Sequence, residues 1–150
     1  MPEPVKFYVS LKVILKNKKG EILGLKCPKH STMSGFYDLP GGRIDSDELN
    51  IPFSKIIQRE MKEEVGDKVK FSLNEKPVAI SRHIAYSPRA KKIVKIFMVF
   101  FEGQYLSGEI KISSEHTGFK WLKLNPRSLS KFFTKGVLEG LRNYLKHNRR

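Results

Sequence analysis

Between Val5 and Lys16, the residues Val5, Phe7, Val9, Leu11, Val13 and Leu15 alternate with Lys6, Tyr8, Ser10, Lys12, Ile14 and Lys16. A period of two over this length predicts a half-buried strand. Asn17-Lys18-Lys19-Gly20 predicts a turn, because Asn and Gly tolerate positive φ, and Glu21 to Lys26 then forms the return strand of a hairpin. Residues 27–35 read as a loop, and Phe36 to Leu39 as a short strand stopped by Pro40-Gly41-Gly42. Over 52–65 the period changes. Ile57, Met61 and Val65 recur at i, i+4 and i+8, the stripe of a helix with one face on a core. Pro52 suits its first turn, Asn50 its cap, and Gly66 the residue that ends it. Strands are predicted near 69–73, 77–86 and 92–102, and again over Phe119 to Leu122. Pro126 to Phe133 and Lys135 to His147 read as helices, the second with Val137, Leu138, Leu141 and Leu145 on one face. This alternation predicts an α/β fold with a sheet covered on both sides. With no repeat or linker in view, residues 1–150 read as a single domain.

Composition narrows the class. Apolar content is ordinary and Gly and Pro are scattered, which excludes a fibrous or disordered chain. Cys27 stands alone, so neither an internal disulfide nor a cysteine zinc site is available. The longest wholly apolar run, Ile96 to Phe101, is too short to span a bilayer, and Met1-Pro2-Glu3-Pro4 does not read as a signal peptide. These features point to a soluble cytoplasmic protein with no membrane partner. Charge says more once divided. The chain carries 29 Lys+Arg against 15 Asp+Glu, a net of +14. The window 38–67 holds eight acids and four bases, 4 − 8 = −4, which leaves 14 + 4 = +18 on the remainder. A basic body favours a polyanionic partner, and an acidic island within it favours a cation.

The island has a pattern. Glu60 and Glu63 are spaced i, i+3, and Glu60 and Glu64 i, i+4, so all three fall within roughly a third of the helix circumference. An ordinary solvated acidic face would look the same, at a cost of a few tenths of a kcal/mol for each like-charged pair. Here, however, the acids border the apolar stripe rather than oppose it, and a Gly-Gly turn and Glu48 precede the helix. A divalent cation would turn repulsion into coordination, and an all-oxygen donor set suits Mg²⁺ or Mn²⁺.

Gly42, Glu48 and Arg59-Glu60-Met61-Lys62-Glu63-Glu64-Val65-Gly66 closely resemble the Nudix box, G-x5-E-x7-R-E-U-x-E-E-x-G-U with U aliphatic. Tyr37-Asp38-Leu39-Pro40-Gly41-Gly42 is similar to the family's lead-in, and the N-terminal hairpin and Glu115…Trp121-Leu122 match further. Two departures stand out. Ten residues, not seven, separate Glu48 from Arg59, and Asp67 occupies the final aliphatic position. The resemblance implies an α/β/α sandwich around a mixed β-sheet. It implies metal-dependent hydrolysis of a phosphoanhydride bond in a nucleoside diphosphate linked to another moiety, most simply a (deoxy)nucleoside triphosphate giving monophosphate and pyrophosphate. By the same resemblance Glu60, Glu63 and Glu64 bind the metal with the Gly41 carbonyl. Arg59 orients Glu48 or Glu60, Gly42 supports the turn, and Glu63 or Glu115 is the general base. An RNA 5′-pyrophosphohydrolase is the alternative within the class. A non-catalytic Nudix-fold binding module is a third reading, opposed by the complete set of glutamates.

The remaining residues are less informative. Tyr37 and Tyr86 suit either stacking on a nucleobase or packing in a core. Tyr86 and Pro88 stand further from the box than the dinucleoside-polyphosphate and ADP-ribose branches place their marks, so the sequence does not select a substrate. His30, His83 and His116 show no metal-ligand spacing. Lys91, Lys92 and Lys95, beside Pro88-Arg89, read as a solvated hairpin end. Lys135, Arg142, Lys146, Arg149 and Arg150 lie on a basic amphipathic helix and tail whose apolar face packs on the sheet. The basic residues are dispersed and lack an interleaved aromatic platform.

Overall fold

The computed structural model describes residues 1–88 and 90–148. Arg89, Arg149 and Arg150, part of the basic clusters noted above, lie outside the described residues. In chain order the elements are β1 (Tyr8–Lys16), β2 (Ile22–Lys26), β3 (Tyr37–Asp38), β4 (Gly41–Arg43), a 3-10 turn (Ser46–Glu48), α1 (Phe53–Val65), β5 (Lys70–Leu73), β6 (Ala79–Ser87), β7 (Lys92–Ser107), β8 (Gly118–Leu122), α2 (Leu129–Phe132) and α3 (Lys135–His147). The eight strands form one mixed sheet. β1 runs parallel to β7, and every other pairing is antiparallel.

Two cores flank this sheet. On one face, Ile56, Ile57, Met61 and Val65 of α1 pack on Leu11, Val13 and Leu15 of β1, Leu23 and Leu25 of β2, and Phe101 of β7. On the other face, Val137, Leu141 and Tyr144 of α3 pack with Ile14, Met98 and Phe100. This is the α/β/α arrangement with a mixed sheet that the sequence predicts. Each apolar stripe read from the sequence lies against the sheet, including the basic C-terminal helix. No helix among the described residues is long and apolar enough to cross a membrane.

β1 departs from its pattern. Its alternation predicts a half-buried strand, yet every residue from Ser10 to Leu15 is buried. The strand is central, with β4 and β2 on one edge, β7 on the other, and a helical layer over each face. Lys12 is therefore drawn inside. The short strand ends before Pro40 as expected, but Gly41–Arg43 then forms a strand of its own, paired with Ser10 to Lys12. Pro52, not Asn50, precedes the first turn of α1, whose early N–H groups on Lys55 and Ile56 reach the Pro52 carbonyl. The helix expected over Pro126 to Phe133 is regular only over Leu129–Phe132, because Asn125 first closes a turn by accepting from the Ser128 and Leu129 N–H groups. β7 runs on to Ser107, five residues past its expected end, because both β1 and β5 pair with its second half.

Candidate active site

β1 and β2 pair only at Lys16 and Ile22 and then diverge, and β4 inserts beside β1 in the opening. The insertion depends on glycine. Gly41 has φ 130°, and a Cβ there would stand 1.9 Å from the Leu11 carbonyl oxygen. At Gly42 a Cβ would fall 2.6 to 2.7 Å from the carboxyl atoms of Glu60. The missing side chain is thus the seat of that carboxylate. One helical turn further on, Glu64 accepts a hydrogen bond from the Gly41 N–H at 3.1 Å. β4 and α1 thus meet at two buried carboxylates.

Glu63 lies on the outer side of α1, exposed, where it accepts from Arg59 Nη1 at 3.2 and 3.3 Å. Arg59 is the hub of the outer shell. Its Nε and Nη2 donate to the two oxygens of Glu48, both at 2.6 Å, and its Nη1 lies 3.1 Å from Glu60. This two-pronged bond spans the longer spacing: the chain loops out over residues 49–52, and Glu48 reaches Arg59. The bond to Arg59 holds the Glu48 carboxyl below its usual range. Among the described residues, acidic ligand atoms lie within 4.8 Å of one another at Asp45, Asp47 and Glu48. Glu48 in that group is engaged by Arg59, and both aspartates are exposed on the turn.

Behind the glutamates lies a cavity of about 300 Å³. Glu64, Gly41, Asp38, Glu115, His116, His83 and Thr32 are among the residues that line it. Lys12, 5% exposed, donates to Asp38 at 3.0 Å beside this cavity. Burial lowers the Lys12 pKa, but Asp38 and Glu64 outweigh it and keep the ammonium charged. Glu64 shows the opposite balance. Burial pushes its carboxyl up to about 8, and the Lys12 charge and the Gly41 N–H only partly offset this. Burial also raises Glu60. His83 accepts or donates at 3.3 Å with the Thr32 hydroxyl, and desolvation lowers the pKa of both His83 and His116. Each keeps a buried Nδ1 with no hydrogen-bond partner. His116 Nδ1 stands 3.6 Å from Glu64, beyond hydrogen-bonding range.

The sequence-predicted residues therefore divide. Gly41, Gly42, Glu60 and Glu64 converge at the opening. Arg59, Glu48 and Glu63 form a bonded shell outside it, and Glu115 lines the cavity. Tyr37 packs edge-on against Phe132, 6.2 Å between ring centres, and does not line the cavity. Tyr86 lies on the opposite face of β6 from His83 and Ser87, which do. Sequence reasoning missed Lys12 and Asp38, and it left the cavity histidines without a role. The period-two alternation places Lys12 on the solvated side, so the local sequence held no signal for its burial.

The residues present fit a divalent cation. Two buried carboxylates lie against Gly42 and Gly41, and burial pushes one of them, Glu64, up to about 8 despite the nearby Lys12 charge. An all-oxygen set of this kind suits a hard cation such as Mg²⁺ or Mn²⁺.

No protein-family model and no curated protein sequence matches the chain. Solved structures do. A MutT protein from Methanosarcina mazei Go1 is 22% identical, with 96% of each chain covered and a TM-score of 0.72. An ADP-ribose pyrophosphatase from Streptococcus suis is 21% identical, with 97% of this chain and 94% of that one covered and a TM-score of 0.64. An Ap4A hydrolase from C. elegans is 18% identical, with 93% and 96% covered and a TM-score of 0.62. At these identities the likeness is one of backbone, spanning nearly the whole of each chain: this protein has the fold of the MutT/Nudix hydrolases.

Proposed function

We propose that this protein is a metal-dependent hydrolase of the Nudix family, a single domain that cleaves a phosphoanhydride bond in a nucleoside diphosphate linked to another moiety, with a (deoxy)nucleoside triphosphate as the simplest such substrate. The observation that carries this reading is the pair of buried carboxylates on one face of α1, Glu60 seated on Gly42 and Glu64 on Gly41, the second of which lines the cavity. The fold neighbours include a pyrophosphatase of ADP-ribose and a hydrolase of Ap4A, both nucleotide anhydrides, which supports the substrate class. Glu60 and Glu64, with Glu63 and the Gly41 carbonyl, would hold Mg²⁺ or Mn²⁺. When bound, such an ion neutralises charge on phosphoryl oxygens and lowers the pKa of water. Arg59 acts at one remove. By fixing Glu48 and contacting Glu60, it sets the carboxylate geometry without reaching the cavity. Glu115 lines the cavity and Glu63 is tied to Arg59, so the arrangement favours Glu115 over Glu63 as the group that accepts the proton from water. The single cysteine of the chain, the buried Cys27, accords with a reducing cytoplasmic setting. A panel of nucleoside triphosphates, nucleoside diphosphate conjugates and dinucleoside polyphosphates, assayed with Mg²⁺ for phosphate and pyrophosphate, tests the proposal. No turnover across the panel with either Mg²⁺ or Mn²⁺ would refute it.

Two further outcomes are expected. Millimolar Mg²⁺ should raise the melting temperature, since a cation that binds only the folded state stabilises it by RT ln(1 + [L]/Kd). The Glu60→Gln variant should blunt that rise, and a melting curve indifferent to Mg²⁺ would count against the site. The second concerns RNA. If the basic body served a 5′ end, log K would fall with log[salt] at roughly 0.7 for each extra phosphate contacted. The dispersed basic residues predict a shallow slope for kcat/KM, similar for a mononucleotide and a triphosphorylated oligonucleotide. A steep slope confined to the oligonucleotide would make RNA the better substrate.

A further inference from the structure

On the α1 side of the sheet, beyond the helix, part of β6 and β7 carries no covering layer among the described residues. Register sets Tyr86 opposite Ile93, Ile84 opposite Lys95, Arg82 opposite Phe97 and Ile80 opposite Val99. Phe97 and Val99 lie on the same face as Phe101, which packs under α1, so the partners on β6 share that face. Ile80, Ile84, Tyr86 and Ile93 are each more than half exposed, from 53% to 62%. The surface is continuous with two neighbours. Phe97 meets Phe7 edge-on at 6.1 Å, and Phe101 meets Phe53, the exposed first residue of α1, at 6.5 Å. The loop before α1 adds Leu49 and Ile51, both exposed. Isolated apolar residues on a surface are ordinary, but a contiguous run on the order of a few hundred Å² marks an interface.

The two ends of this strip carry opposite charge. At the loop end Asp45 and Asp47 are exposed. Along β6 and β7 Arg82 and Lys95 project from the same rows as the isoleucines. In a two-fold interface a residue that meets a partner residue is met in return by that residue's equivalent, so a strip with unlike ends is complementary to its own inverted copy. We propose that this face is the interface of a homodimer, in which the Asp45–Asp47 end of one chain meets the Arg82–Lys95 end of the other. A single-stranded nucleic acid fits less well. Three of the four most exposed residues of the β6–β7 face are isoleucines with no ring to stack on a base, and Phe7 and Phe97 are turned against each other. At physiological salt, charges elsewhere on the chain are screened beyond about 8 Å.

Sedimentation equilibrium of the full chain at about 0.15 M salt tests the proposal. The expected mass is that of two 17.3 kDa chains. Ile84→Glu and Ile93→Glu should each raise the dimer dissociation constant at least about 100-fold, with circular dichroism and melting of the dilute protein unchanged, because an exposed charge costs the monomer nothing but is buried unpaired in the dimer. Asp47→Lys and Arg82→Glu should each weaken association, and the two together in one chain should restore it. A monomer at every concentration overturns the proposal, as does one that captures oligonucleotide or anionic vesicles through this face. A dimer that ignores both isoleucine variants overturns it equally.

Discussion

The Glu64→Gln variant is expected to lose activity and gain stability at once. Loss of the carboxylate charge removes a ligand and an electrostatic anchor, effects that typically supply about 10² to 10³ in kcat. Stability moves the other way because of where the group sits. Glu64 is buried, and its carboxyl titrates near 8 rather than at 4.5, chiefly through desolvation. A carboxyl whose folded pKa is raised binds more protons folded than unfolded. In the metal-free protein, stability should therefore fall as pH rises from about 4.5 to about 8 and then level off. Glutamine keeps the shape and the acceptor for the Gly41 N–H without a charge to bury, so its stability should be flat across that window. The difference above pH 8 should be on the order of a few kcal/mol. Urea melts of both proteins across the window in the presence of a chelator, and steady-state kinetics with Mg²⁺, measure the two effects. A variant retaining more than about a tenth of kcat, or one no more stable than wild type at alkaline pH, would remove Glu64 from the role assigned to it.

The Gly42→Ala variant should reach a similar loss without touching a charge. The added methyl would stand 2.6 Å from Glu60 Oε2. What it meets is the free end of a flexible side chain, so the chain can accept it by swinging that carboxylate aside. Gly42 does not sit at positive φ, unlike Gly41, and alanine adds no backbone strain there. The fold should survive, with a melting temperature close to that of wild type in the absence of metal. Stabilisation by Mg²⁺ should fall, and kcat should drop about 10²-fold or more, since displacing a carboxylate by an ångström costs on that order. Gly41→Ala serves as the contrast. Its methyl would meet the Leu11 carbonyl, a backbone atom that cannot step aside, and it should fail to fold stably. If Gly42→Ala kept normal turnover, the seating of Glu60 on Gly42 would have no catalytic meaning.

The sequence by itself determined the strands and helices with a clear period, the covered sheet, and the outline of the site. α1, α3 and the first hairpin follow from spacing alone, because a helix or strand with one apolar face has few places to go. Glu60 and Glu64 were legible for the same reason: helix periodicity sets which carboxylates share a face, and that relation survives folding, whereas Gly41 and Gly42 were legible only through the resemblance to the Nudix box and its lead-in. What only tertiary structure decided lies across gaps in the chain that no period spans. The strand position of Gly41–Arg43 depends on β1 and β2 parting after one pair. The meeting of Arg59 with Glu48 across the longer loop depends on how the ten residues between them fold back. Tyr86 was a candidate for the substrate and lies on the other face of its strand, because a side chain's face follows from register with β7, which the local sequence leaves open. Lys12 is the clearest case. Alternation marked it as a solvated residue, but a central strand between two helical layers has no solvated face. Its charge is retained inside because Asp38 and Glu64, 26 and 52 residues away, arrive to meet it.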